Sequence, residues 1–202
     1  MLRRTFLATL PALGVALRSS IHAAALPQDL EFIRAWERAQ LERPRTLASR
    51  ARIATAGEPG IPMVIAGRLY ERDGRSPAPD IIVFAYHTDV QGLYDVRSNG
   101  PHSWRLKGWA VTGTDGRFVF DTIRPAPYPS RREPAHVHVS FEGPRLQRRW
   151  GGLLLGDDPL VPREERDRSA RAAPFGSVRP VTMRDGVQQV DYPVRITDEG
   201  VF

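Results

Sequence analysis

MVIAGRLYERDGRSPAPDIIVFAYH, residues 63–87, carries the reading on which the fold turns. Met63–Glu71 and Ile81–His87 are short runs rich in branched and aromatic residues. The Asp73-Gly74 pair between them has the chemistry of a tight turn, since aspartate bonds back to its own loop and glycine tolerates positive φ. Working outward, the same punctuation recurs. Ala110–Thr112 precedes an Asp115-Gly116 turn, and Phe118–Thr122, Ala135–Phe141, Arg149–Leu155 and Val187–Ile196 follow, giving about eight strands. No crossover of helical length separates them, so the pattern predicts an all-β, mostly antiparallel sandwich.

Ahead of this body, Gln28 to Arg43 carries Leu30, Ile33, Trp36 and Leu41 near helical spacing, with Pro44 as a stop. That predicts a short N-terminal amphipathic helix. Residues 45–62 contain Gly57, Pro59, Gly60 and Pro62 and read as a connector laid across the surface. Residues 157–180 are dense in charge and proline without periodicity, which fits either a loop folded over a site or a surface excursion. Residues 1–25 have a basic start, a 12-residue apolar stretch from Phe6 to Leu17 and small residues at Ala23, Ala24 and Ala25, the layout of a cleavable signal. The apolar stretch is shorter than the ~20 residues of a membrane-spanning helix, so no stable membrane anchor is expected after processing. Arg3-Arg4 before Thr5-Phe6-Leu7 resembles a twin-arginine signal, the alternative being an ordinary secretory one, and an exported, periplasmic protein is expected. The expected organisation is a signal at 1–25, helix and connector at 26–62, and one domain at 63–202.

The chain has 202 residues, 41% of them apolar, enough for one domain with a hydrophobic core. It has no cysteine, which excludes disulfides, thiolate metal sites and cysteine nucleophiles, so a metal would have to take nitrogen and oxygen ligands. The formal charge of +6 falls to +3 without Arg3, Arg4 and Arg18, and elsewhere Arg163, Arg166, Arg168 and Arg171 alternate with Glu164, Glu165 and Asp167. This is the composition of a solvated mixed-charge surface; with no accompanying DNA or RNA motif, a nucleic-acid partner is not expected.

Within Ala135–Phe141, His136 and His138 are two residues apart on a strand and project to one face, while Val137, Val139 and Phe141 face the other. Two neutral imidazoles so placed can share one ion, although an exposed alternating strand would give the same pattern. Two tyrosines follow strands upstream: Tyr94 in Gln91-Gly92-Leu93-Tyr94-Asp95, and Tyr128 between Pro127 and Pro129, whose rings restrict its backbone. Tyr86 alternates with Phe84 and Ile82 and is expected in the core, with His87 on the opposite face; His102 is expected at the surface. Ser103, Ser130 and Ser140 lack a supporting His and Asp arrangement, so a serine hydrolase is not indicated.

From about Val64 to Pro159 the chain resembles the intradiol ring-cleavage dioxygenases, the family of catechol and protocatechuate dioxygenases. The resemblance is carried by Gly67-Arg68, Asp73-Gly74, Tyr86-His87-Thr88-Asp89, Gly92-Leu93-Tyr94, Thr114-Asp115-Gly116, Pro127-Tyr128-Pro129, Pro134-Ala135-His136-Val137-His138 and Gly156-Asp157, in family order. It implies that Tyr94, Tyr128, His136 and His138 hold a non-haem ferric iron, Fe(3+). It also implies a small aromatic diol and O2 as substrates, ring cleavage between the two hydroxyls to a muconate-type diacid, and displacement of one tyrosine, Tyr128 or Tyr94, that accepts a catechol proton. The fold class implied is a prealbumin/immunoglobulin-like antiparallel β-sandwich with a short N-terminal helix; a homo-oligomer is left open. The chemistry is consistent with the donors, because ferric iron favours anionic oxygen and can ionise a phenol whose ordinary pKa is about 10.

Two positions depart from the family. An arginine that directly precedes the Pro-Ala-His stretch is Glu133 here, leaving Arg131 and Arg132 as neighbours that could supply a cation; Arg132 is the candidate for that catalytic role, although adjacent residues in an extended chain point to opposite sides. A glutamine of the strand before the Gly-Asp motif is replaced within Trp150-Gly151-Gly152, with Gly151 at that position. The competing readings are a non-catalytic prealbumin-like binding module, which shares the strand, turn and Thr-Asp-Gly-x-Phe-x-Phe pattern, and a metal-bearing homologue without ring cleavage.

Overall fold

The computed structural model of the chain describes residues 30–94, 104–130 and 132–198; the expected signal at 1–25, His102 and Ser103 lie outside them. Helix α1 (Leu30–Leu41) is followed by strands β1 (Arg50–Arg52), β2 (Pro62–Tyr70), β3 (Ile82–His87), β4 (Leu106–Val111), β5 (Arg117–Ile123), β6 (His136–Gly143) and β7 (Leu146–Leu155). Helix α2 (Arg163–Arg171) and strands β8 (Val178–Arg179), β9 (Thr182–Arg184) and β10 (Val187–Arg195) complete the described chain. The strands form two five-stranded sheets, β1-β5-β2-β10-β9 and β4-β3-β6-β7-β8. Met63, Ile65 and Leu69 of β2, Phe118 and Phe120 of β5, and Val137, Val139 and Phe141 of β6 share one buried core, so the two sheets form a β-sandwich. Phe118 and Phe141 meet across it edge to face at 5.9 Å. Full burial of each such side chain contributes ~1.5–3 kcal/mol, which makes this period-two alternation the main determinant of register.

Two expectations change, at the connector 45–62 and at residues 157–180. The connector 45–62 contributes β1, which lies parallel to β5 with Ala51 against the core and the Arg50 guanidinium on the Asp121 carboxylate at 2.8 Å. The sandwich is mostly antiparallel, with further parallel pairs where β10 runs beside β2 from Gln188 beside Met63 to Arg195 beside Tyr70, and where β8 runs beside β7. β2 and β10 are far apart in sequence, and the chain joining them passes through the opposite sheet, whereas β7 and β8 are joined directly through α2. Residues 157–180 contain α2 and β8, in place of an unstructured excursion; Glu165 and Ser169 of the helix are buried. Among the described residues, no helix is long and apolar enough to cross a membrane.

Helix α1 packs on the outer face of the second sheet. Ala35, Trp36 and Ala39 are buried there with Phe84, Tyr86, Trp104 and Trp109, and Phe32, Tyr94 and Trp150 pack against the cluster. The small residues at 35 and 39 let the helix approach the sheet, and Trp36 meets Phe84 and Trp150 edge on at 5.1 and 5.2 Å. Leu41, expected on the inner face, is 87% exposed. The buried stripe therefore runs Phe32-Ala35-Trp36-Ala39. Ala39→Leu is expected to overpack this contact and destabilise by ~1–3 kcal/mol, whereas Leu41→Ala should change stability by less than ~0.5 kcal/mol. Urea unfolding followed by tryptophan fluorescence compares the two.

His87 points into the sandwich from β3 and is fully buried. Its Nδ1 lies 2.7 Å from the Thr88 carbonyl and its Nε2 2.6 Å from Thr122 Oγ1 on β5, a pattern satisfied when Nδ1–H donates to the carbonyl and the Thr122 hydroxyl donates to Nε2. The contact ties one sheet to the other. Burial pushes the imidazole down to about 4, against smaller opposing contributions led by the Thr88 carbonyl. The unfolded chain takes up this proton below about pH 6.5 and the native chain only near its depressed value. The stabilising contribution is thus complete above about 6.5 and is lost as pH falls toward 4, by about 3 kcal/mol in all. His87→Gln should flatten that part of the stability profile, measured by urea unfolding of the metal-free protein from about pH 7 to pH 4.5.

Candidate metal centre

Strand β6 sits between β3 and β7, and its pleat sends Val137, Val139 and Phe141 inward and His136 and His138 to the outer face. Tyr86 of β3 and Gly152 of β7 flank His138 in register. Tyr86 is buried, as expected, yet its packing is specific: its ring stacks on His138 at 4.5 Å and on Trp104 at 3.9 Å, so one imidazole is held by an aromatic pile. On β7, Gly151 pairs with Val139 and Gly152 with His138, so Gly152, in place of Gly151, is the residue beside the imidazole on this face.

The tyrosines arrive on two loops joined to one another. After β3, the buried Asp89 carboxylate accepts the Gln91 and Leu93 amides through Oδ1 at 2.8 and 3.0 Å, folding the chain tightly before Tyr94. After β5, the Ala126 amide donates to the Asp89 carbonyl at 3.1 Å, and Thr88 Oγ1 donates to the Ala126 carbonyl at 2.6 Å. Gly92 has φ +77°, and a Cβ there would lie 2.0 Å from the Pro127 carbonyl oxygen, so no larger residue allows the loops this approach. Tyr128 follows directly.

The four expected side chains meet. Tyr128 Oη lies 3.2 Å from His136 Nε2, His136 Nε2 lies 3.0 Å from His138 Nε2, and His138 Nε2 lies 2.9 Å from Tyr94 Oη. A hydrogen bond between the Tyr94 and Tyr128 hydroxyls closes the ring. His136 Nδ1 donates to the Pro134 carbonyl at 2.8 Å, which leaves its Nε2 lone pair bare. Four lone-pair atoms spaced this way match the spacing of neighbouring donors around one ion at about 2.0–2.2 Å, the usual nitrogen and oxygen ligand distance. The donor set therefore fits a first-row metal ion. Among the described residues, no group of three or more His, Cys, Asp or Glu side chains is placed to hold one.

Burial governs the electrostatics. It is the largest cause pushing His138 well below the ordinary histidine range, reinforced by His136 and His87. It also pushes Tyr94 well above the ordinary phenol range, reinforced by Tyr128, Tyr86 and the Glu133 carboxylate. Burial thus favours the neutral forms of Tyr94 and His138, and a bound cation would be what ionises the Tyr94 phenol.

The approach to β6 is held from behind. Asp158 Oδ2 accepts the Ala135 amide at 2.7 Å, and Arg166 of α2 donates to the Gly156 and Asp158 carbonyls at 2.6 and 2.7 Å. The stretch 157–180 thereby braces the histidine strand. Arg132 is exposed, and half-buried Glu133 is the residue whose charge reaches Tyr94, as alternation along an extended chain requires. Sequence reasoning assigned no role to Asp89, Trp104 or Asp158. Asp89 lay within a quoted motif, and its Asp-x-Gln spacing is that of a side chain capping its own loop.

Comparison with known proteins agrees with this geometry. A family model described as Dioxygenase matches residues 41–186. The 6-chlorohydroxyquinol 1,2-dioxygenase of Cupriavidus pinatubonensis is 31% identical over 156 residues, covering 69% of this chain and 53% of that protein. The protocatechuate 3,4-dioxygenase beta chain of Burkholderia cepacia is 31% identical over 134 residues, covering 55% of this chain and 56% of that one. The chain spans about half the length of the curated relatives it matches. In fold it is similar to the dioxygenase domain of a carbohydrate-binding fusion protein from Streptomyces sp. SirexAA-E, with TM-score 0.57, 21% identity, and coverage of 76% of this chain and 90% of that one. It is also similar to catechol 1,2-dioxygenase from Acinetobacter sp. ADP1, with TM-score 0.58, 18% identity, and coverage of 83% and 68%. With the family match extending over most of the chain and the two tyrosines and two histidines converging as the motifs imply, the chain belongs to the intradiol dioxygenase family.

Proposed function

We propose that this protein is a non-haem iron dioxygenase that cleaves a small catechol-type diol between its two hydroxylated carbons, giving a muconate-type diacid. Tyr94, Tyr128, His136 and His138 are the iron ligands, within a sandwich of prealbumin-like class. The supporting observation is the convergence of four donor atoms from β6 and two loops, with neighbouring contacts at 2.9–3.2 Å. Bound among them, ferric iron supplies the charge that ionises phenols and activates a chelated diol toward O2.

The residues divide the remaining tasks. His136 is oriented by its bond to the Pro134 carbonyl and His138 by the stacked Tyr86 ring, so both imidazoles are held before any ion arrives. Tyr94 is bonded through its carbonyl to the Arg105 amide at 3.0 Å and follows the loop capped by Asp89. Tyr128 lies between two prolines, whose rings restrict its backbone. One of the two tyrosines, Tyr128 or Tyr94, is the ligand that gives way, and its oxygen is the acceptor for a diol proton. On the same reading, residues 1–25 direct export to the periplasm.

Addition of ferric iron to the metal-free protein tests this. A visible tyrosinate charge-transfer band is expected, together with quenching of the tryptophans, all four of which belong to the aromatic cluster beside Tyr94 and His138. Tyr94→Phe and Tyr128→Phe should each weaken the band and lower iron affinity by more than the ~10–100-fold typical of supporting residues. Oxygen uptake with catechol, matched by an equimolar diacid, should follow. A protein that stays colourless and unquenched would refute the iron site; one that binds iron without oxygen uptake on any catechol tried would be the metal-bearing, non-cleaving homologue.

A further inference from the structure

Behind Tyr94 lies a charged network separate from the donor ring. Asp89 is buried, with its side chain 5% exposed, and its Oδ2 faces Arg105 Nη2 at 3.3 Å. Arg105 is in turn held by both oxygens of Glu58, at 2.6 and 2.9 Å, from the connector between β1 and β2. The Arg105 backbone amide donates to the Tyr94 carbonyl. The Asp89 carboxylate thus fixes the Gln91 and Leu93 amides ahead of Tyr94, and the backbone of Arg105, whose guanidinium faces that carboxylate, holds the carbonyl of Tyr94 itself.

Chemistry makes the pair interdependent. A buried carboxylate is tolerable only when its charge is compensated and its lone pairs are bonded, and here the compensation comes from Arg105. Beyond the end of β3 at His87 the loop is closed by its own backbone bonds, from the Asp89 amide to the Leu93 carbonyl at 2.9 Å and from the Gly92 amide to the Asp89 carbonyl at 3.1 Å, and these contacts and the clasp to Ala126 hold that turn in place. Useful ligation requires donors held to within about 0.5 Å.

We infer that Asp89 and Arg105 are positioning residues that set where the Tyr94 oxygen stands relative to His138 and Tyr128, and through it the affinity of the site for iron. The inference rests on the ligand assignment proposed above. Asp89→Asn keeps an acceptor for the two loop amides but removes the charge that faces Arg105; Arg105→Gln removes the same attraction from the other end. Each variant should bind ferric iron ~10–100-fold more weakly than the wild type, by titration of tryptophan quenching, with unchanged far-UV circular dichroism. Asp89→Ala should lose more.

Position is separated from general loosening by repeating Asp89→Asn in two backgrounds. With Tyr128→Phe, the remaining charge-transfer band arises from Tyr94 alone, and Asp89→Asn must shift or diminish it. With Tyr94→Phe, the band arises from Tyr128, and Asp89→Asn must leave it in place. Equal effects in both backgrounds, or wild-type affinity and spectrum in both Asp89→Asn and Arg105→Gln, would overturn the inference while leaving the ligand set intact. A wild type that takes up no iron would instead overturn the ligand assignment and this inference with it. If Asp89→Ala does not fold, the two milder variants decide.

Discussion

The period of two along β6 is the constraint on which the site depends. Val137, Val139 and Phe141 are committed to the core between the sheets, so His136 and His138 can emerge only on the opposite face. A slip of one residue would bury two imidazoles among apolar side chains, at ~1–3 kcal/mol for each unsatisfied group, and would forfeit ~1.5–3 kcal/mol for each apolar side chain brought out. Both penalties act in the same direction. Hydrophobic burial of the odd residues therefore aims the even ones, and β6, flanked on both sides, carries that aim to a rigid place in the sheet.

What the strand aims, burial then keeps neutral. Tyr94 resists ionisation and His138 resists protonation for the same reason, the loss of solvent. Three of the four contacts in the ring they form with Tyr128 and His136 can be knitted by the two phenolic hydrogens and an imidazole hydrogen, so the metal-free arrangement is already largely hydrogen-bonded. Such a site is assembled before an ion enters. On the proposed reading, an ion would replace these hydrogen bonds with attraction between its own charge and the donors, with little rearrangement of the framework.

This logic also separates what the sequence makes legible from what it does not. β2, β3, β5, β6 and β7 are long enough for alternation to show, and the His-x-His face follows from counting residues. β1, β8 and β9 have two or three residues each, too few for any period, and β2 and β10 pair across most of the domain. Helix α2 escaped notice because its buried residues are Glu165 and Ser169, so it shows no apolar stripe. The tyrosines could be named only through family resemblance, since each by itself is an ordinary half-buried side chain. Asp89, Arg105 and Asp158 act on backbone amides and carbonyls of distant loops, a role that composition cannot reveal.

Of the two departures from the family pattern, Glu133 has opposite physical consequences for an ion and for its substrate on the proposed reading. Glu133 adds negative charge near Tyr94, which favours a highly charged cation among the donors and opposes the build-up of negative charge on a bound diol. Gly152 offers no side chain beside His138, although a Cβ there would meet nothing nearer than the Val137 carbonyl at 3.9 Å, so packing does not require glycine. On the proposed reading, metal retention rests on four donors aimed by the core, while ring cleavage rests on the charge that the 132–133 segment brings to them. The first is fixed by the pleat of β6 and the loop contacts. The second is set by residues that the pleat leaves free to vary.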